Sequence, residues 1–116
     1  MSVNILVVDE NAIQLVEKVM EGLNGEINEI IFNTAQSALD ALLIAKKKNV
    51  HIAIINSDVE YPGDGFEIAF DLKMIDSEIR LFGYSSNWDE ASARHAGLEG
   101  FAAYGEDLIS FIKKQV

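Results

Sequence analysis

The sequence has no cysteine, one proline and no apolar run long enough to cross a bilayer. The first absence excludes disulfides and thiolate metal sites, and it fits a reducing compartment. With Pro62 as the lone proline, no Pro-rich linker interrupts the chain, and no repeat or low-complexity tract is visible. The third absence excludes a membrane helix, which needs about 18 consecutive apolar residues. The N-terminus has no basic stretch of the kind that opens a secretory signal, so the expected location is the cytoplasm. Basic residues are also scarce. Nine Lys and Arg stand against 19 Asp and Glu, a net charge of −10. That balance argues against nucleic-acid binding, which needs clustered Lys and Arg, and it allows cations and basic protein partners. What is present is 49% apolar residues in 116, enough for one core and one domain over residues 1–116.

Short β-branched runs alternate with longer helical periods. Val3–Val8 is nearly all apolar, as expected of a strand covered on both faces. After Asp9, the spacing of Ile13, Val16, Met20 and Leu23 predicts a helix buried on that stripe, with Gly22 and Gly25 bracketing its end. Glu29–Phe32 reads as the second strand, with Thr34 as N-cap of a helix whose stripe includes Ala38, Leu42 and Ala45. Lys46, Lys47 and Lys48 suit the negative pole of that helix and read as a solvated last turn. Ile52–Ile55 is the third strand, followed by Asn56, Ser57 and Asp58. The Tyr61-Pro62-Gly63-Asp64-Gly65 segment is a loop, and the next helix faces inward with Ile68, Leu72 and Ile75. Arg80–Tyr84 and Gly100–Tyr104 are the last strands. Asp89–His95 forms a short helix between them, and a final helix starts near Glu106 and buries Leu108, Phe111 and Ile112.

This alternation predicts an α/β fold, a doubly wound five-stranded parallel sheet of order 2-1-3-4-5 with helices on both faces. Sites in such sheets lie outside the carboxyl ends of the strands, at the switch point between strands 1 and 3. That rule singles out Asp9-Glu10-Asn11 and Asp58 before any motif is consulted. Carboxylates gathered there repel one another unless a cation neutralises them. An all-oxygen acidic cluster with room for water suits Mg²⁺. The competing reading of Asp9 or Glu10 is a cap on the first helix. A carboxylate beside Mg²⁺ can also act as a nucleophile on phosphorus and form an aspartyl-phosphate. A flavin phosphate is disfavoured, because the acidic turn after the first strand would repel it.

These segments together resemble the receiver domain of bacterial two-component response regulators, which has the flavodoxin-like doubly wound fold. Ile5-Leu6-Val7-Val8-Asp9-Glu10-Asn11 resembles the family's first strand and acidic pair. Asp58-Val59-Glu60-Tyr61-Pro62 resembles its phosphoacceptor aspartate with a proline four positions on, and Asp64-Gly65 the acid-glycine pair that opens the third helix. Ala96-Gly97-Leu98-Glu99-Gly100-Phe101 resembles the segment leading through the fifth strand. The resemblance implies that Asp58 accepts a phosphoryl group from a histidine kinase or phosphotransfer protein. It implies Mg²⁺ held by Asp9, Glu10, Asp58 and the backbone carbonyl of Glu60. It further implies Ser85, or Ser86 one residue on, as the hydroxyl that bonds the phosphoryl group, and Phe101 as the aromatic switch. Any catalysis would then be self-phosphorylation and dephosphorylation at Asp58.

The resemblance breaks on the side that reads out phosphorylation. Tyr104-Gly105 stands where the family has a lysine and a proline. A phenol donates a hydrogen bond but brings no positive charge, so a charge-assisted contact of about 1.5–3 kcal/mol is lost. Lys73 and Lys113, placed on the third and last helices, are not positioned to replace it. The segment between Pro62 and Asp64 is one residue short, and the loop before the fourth helix about three. Two readings follow: a phosphoacceptor with altered switching, or a pseudo-receiver that works as a phosphorylation-independent interaction module. The resemblance also implies output through the surface of helix 4, strand 5 and helix 5 to an unknown downstream protein. Trp88, heading the short helix, is either an anchor on that surface or a packed aromatic. His51 and His95 have no ligand spacing around them and read as surface or satisfied histidines.

Overall fold

In the computed structural model, residues 2–23, 29–84, 88–102 and 108–115 are described. The order of elements is β1 (Val3–Val8), α1 (Ala12–Leu23), β2 (Ile30–Ala35), α2 (Ala38–Lys47), β3 (Ile52–Asn56), α3 (Asp64–Ile75), β4 (Arg80–Tyr84), α4 (Glu90–His95), β5 (Gly100–Ala102) and α5 (Leu108–Gln115). The five strands pair in parallel in the order β2-β1-β3-β4-β5, as the alternating pattern predicts. No described helix is long and apolar enough to cross a membrane.

The near-continuous apolar run of β1 has a direct structural cause. Leu6 and Val8 enter a core with Ala53, Ile55 and Leu81 beneath α2, α3 and α4. Ile5 and Val7 enter a second core with Ile52, Ile54 and Phe82 beneath α1 and α5. Alternate side chains point to opposite faces of a strand, so a strand covered twice must be apolar at every position. The second core is closed by Leu108 and Ile112 of α5, and Phe111 meets Phe82 edge-on with ring centroids 5.5 Å apart.

Two local expectations are corrected. The buried stripe of α1 is Ala12, Val16, Val19 and Leu23, whereas Ile13 is 48% and Met20 57% exposed. Both stripes have helical spacing, and the phase is set by the preceding turn. There the Ala12 N–H donates to the Asp9 carbonyl at 3.1 Å, which turns the small Ala12 inward. Thr34 is not a cap, because it lies in β2 opposite Val7. The ladder along β1 carries β2 through the polar pair Asn33-Thr34 to Ala35, leaving the Asn33 Nδ2 buried without a hydrogen-bond partner. The cap of α2 is Ser37, whose Oγ accepts from the Asp40 N–H at 3.1 Å. β2 and β3 also run further than expected, to Ala35 and to Asn56. The expected end of β5 at Tyr104 and the expected start of the last helix near Glu106 lie outside the described residues.

Candidate functional site

The candidate residues lie at the carboxyl edge of β1 and β3, where the sheet order reverses. Asp9 directly follows β1 and is 8% exposed. Its Oδ1 accepts from the Asn11 N–H at 2.7 Å and its Oδ2 from the Asn56 amide at 2.8 Å. Asn56, the last residue of β3, also accepts at its Oδ1 from the Asp58 N–H at 2.9 Å. One side-chain amide therefore ties the acid after β1 to the backbone of the acid after β3. Residue type alone did not single out Asn56. Its position at a strand end beside two acids was the available signal.

Asp58 is held from a second direction. Its Oδ1 accepts from the Gly63 N–H at 2.6 Å, and its Oδ2 takes a longer contact of 3.3 Å from the Ser57 hydroxyl. Gly63 has φ of 77°, a left-handed conformation that favours glycine. Asp64, the first residue of α3, accepts from the N–H groups of Val59, Glu60 and Tyr61 at 2.7, 3.0 and 3.1 Å. Gly65 then brings α3 against β3 so closely that a Cβ there would lie 2.2 Å from the Asn56 carbonyl oxygen. These contacts tie the loop after β3 to the start of α3 and to Asp58.

The three acids reach the same edge of the sheet but not one cleft. Glu10, Asp58 and Glu60 line an open cleft of about 380 Å³ with Tyr61 and Pro62. Asp9 lines a neighbouring cleft of about 340 Å³ with Asn11, Gln14, Lys18, Asn56 and Tyr84. Among the described residues, no three His, Cys, Asp or Glu side chains form a group able to hold a metal ion by themselves. A hydrated divalent cation needs fewer. Mg²⁺ is bound through one or two carboxylates and keeps several waters. Glu10, Asp58 and Glu60, which line one cleft, could offer such an ion oxygen donors only. Asp9 adjoins that cleft, with each carboxylate oxygen already accepting one hydrogen bond.

The cleft beside Asp9 is also lined by a basic side chain, Lys18. Asn11, Gln14, Leu15 and Lys18 follow one face along the start of α1 and line it together. Lys73 instead donates to the Ser77 carbonyl at 3.1 Å, and Lys113 lies on α5. Phe101, in β5, pairs with Gly83 of β4 and packs against the core under α4. Ser85, its neighbour Ser86 and Tyr104 lie outside the described residues. Trp88 is 3% exposed, and its indole N–H donates to the Ile55 carbonyl at 2.9 Å. It is a packed aromatic and not an exposed anchor. The His51 Nδ1 accepts from the Asn4 N–H at 2.9 Å, so this histidine is a satisfied one.

No protein-family profile matches the sequence, and comparison with curated proteins returns no match. The chain superposes on the chemotaxis protein CheY4 of Vibrio cholerae with a TM-score of 0.80 at 17% identity, covering 99% of this chain and 97% of that one. It matches a CheY-like response regulator receiver domain from Methanospirillum hungatei with a TM-score of 0.78 at 15% identity, covering 99% and 94%. This chain has the receiver-domain fold. A third receiver-fold match is a response regulator from Burkholderia pseudomallei, with a TM-score of 0.78 at 18% identity. That structure carries a phosphorylated aspartic acid, a calcium ion and citrate. The match covers 96% of this chain, which spans 65% of the length of the Burkholderia protein. At these identities the receiver likeness is one of architecture, and the chemistry rests on this chain's own residues.

Proposed function

We propose that the chain is a cytoplasmic phosphorelay receiver in which Asp58 accepts a phosphoryl group from a phosphohistidine on a histidine kinase or phosphotransfer protein. The observation that carries this reading is the placement of Asp58. It follows β3 at the switch point of a receiver fold, in an open cleft with Glu10 and Glu60, held by Asn56 and Gly63. In the transfer, a carboxylate oxygen of Asp58 attacks phosphorus and the P–N bond to the donor imidazole breaks. The leaving ring nitrogen takes a proton, and the product is an aspartyl-phosphate. Glu10, Asp58 and the Glu60 carbonyl are the residues that would hold Mg²⁺, with Asp9 beside them. The ion would neutralise charge between the carboxylate and the incoming phosphoryl oxygens.

The remaining assignments are Ser85 as the hydroxyl that bonds the phosphoryl group and Phe101 as the aromatic that follows it. Tyr104 replaces the cationic partner with a neutral donor. Output goes to a downstream protein through the α4–β5–α5 face. The test is incubation with Mg²⁺ and acetyl phosphate followed by intact-mass measurement. One phosphoryl group per chain is expected on the wild-type protein and none on Asp58→Asn. No adduct, together with amide spectra that do not respond to Mg²⁺, would falsify this reading and leave a phosphorylation-independent binding module.

A further inference from the structure

We propose that Asp64 is a positioning residue for Asp58, an inference that rests on Asp58 being the phosphoacceptor. Asp64 opens α3, and the bland role for an acid there is to favour the positive pole of the helix. Its carboxylate does something different. It reaches back past Gly63 and gathers three consecutive backbone N–H groups, those of Val59, Glu60 and Tyr61. An ionised acceptor on successive backbone donors makes charge-assisted bonds stronger than neutral ones. The Asp64 N–H in turn donates to the Tyr61 carbonyl at 3.2 Å, and the Gly65 N–H to the Ser57 carbonyl at 2.9 Å.

The loop is therefore closed on itself around the Asp64 carboxylate. That closure sets the path through Pro62 to Gly63, whose left-handed backbone aims its N–H at Asp58 Oδ1, 2.6 Å away. The same clamp anchors the backbone of Glu60, which shares the cleft with Asp58 and Glu10. Asp64 thus holds the acceptor carboxylate in one orientation before a phosphodonor arrives, without touching the donor itself. Orientation of a reacting group ahead of the encounter is worth large factors in rate, and small displacements lose them.

The test is Asp64→Asn, which keeps the side chain's size but replaces one acceptor oxygen with a donor amide. Measurements are made on the full chain, below the melting transitions of both proteins. The Gly63 amide should exchange with solvent about tenfold faster in the variant, because local opening becomes easier. Labelling by acetyl phosphate should fall about tenfold at saturating donor, with the half-saturating concentration within about twofold of wild type. A purely structural role would not separate those two quantities. Asp58→Asn tests the last link without touching Asp64, and its Gly63 amide proton should move upfield. An unchanged Gly63 amide in either variant overturns the proposal, and so does wild-type labelling by Asp64→Asn. If the wild-type protein takes no phosphoryl group, the phosphorelay reading fails, and the Gly63 amide still decides whether Asp64 orients Asp58.

Discussion

Gly83 of β4 makes a severe test of how Trp88 is seated. A Cβ added at Gly83 would lie 2.7 Å from the Trp88 Cδ1, 2.8 Å from its Nε1 and 2.9 Å from the Leu98 Cδ1. The indole has little room to retreat. It is bonded to the Ile55 carbonyl at 2.9 Å and packed on Phe66 with ring centroids 4.5 Å apart. Overpacking of a well-filled core costs about 1–3 kcal/mol. Replacing a strand glycine by alanine returns about 0.5–1 kcal/mol through the unfolded chain. The net loss for Gly83→Ala is about 1–2 kcal/mol, a fall of roughly 4–10 °C in Tm for a domain of this size. Thermal melting by circular dichroism measures the loss, and the emission of Trp88, the only tryptophan, reports whether the indole has moved. Combining Gly83→Ala with Trp88→Phe closes a double-mutant cycle. The double variant should lose less than the sum of the singles, by about 1 kcal/mol, since the clash needs the indole. Gly83→Ala melting at or above the wild-type temperature with unchanged emission would refute the packed placement of Trp88.

Two further outcomes follow from the site and its flank. Asn56→Ala removes both the amide on Asp9 and the acceptor for the Asp58 N–H. It should cost about 2 kcal/mol in urea unfolding, because one of the lost bonds goes to a carboxylate. A loss under about 0.5 kcal/mol, the range of an ordinary surface substitution, would show that Asn56 does not tie the two strand ends. Asp89 caps α4 in a reciprocal box with Ser92. The hydrogen bond from the Ser92 N–H, and then the Ser92 hydroxyl, hold its carboxyl below the ordinary value. A carboxyl with a depressed folded pKa contributes stability above its unfolded pKa and loses it as pH falls through the lowered one. A carbon-detected NMR titration should therefore find the Asp89 midpoint below the usual aspartate range. Ser92→Ala should move it back up, and a midpoint at the usual value would count against the box.

The architecture was legible in the sequence because burial on both faces of a parallel sheet forces a composition that little else produces. Val3–Val8 and Ile52–Ile55 could hardly be anything but central strands, and the switch-point rule then pointed at Asp9, Glu10 and Asp58 with no motif in hand. What was not legible depended on direction rather than residue type. The two candidate stripes of α1 differ by one residue in phase, and bulk favoured Ile13 and Met20. The hydrogen-bonded turn after Asp9 decided for Ala12 and Val19 instead. Thr34 has the chemistry of a cap, but β1 still offered Val7 and Val8 as ladder partners, and pairing carried the strand on. The same limit governs the site. Three acids at strand ends read as one cluster, since charge pattern records where side chains start and not what they bond. Asn56 takes Asp9 toward its own side, and Glu10 shares the cleft with Asp58. Asp64 read as the start of a helix, yet its carboxylate faces backward into the loop that follows Asp58. In the short turn between Pro62 and Asp64 it is the Gly63 N–H, a backbone group that no residue pattern records, that meets Asp58.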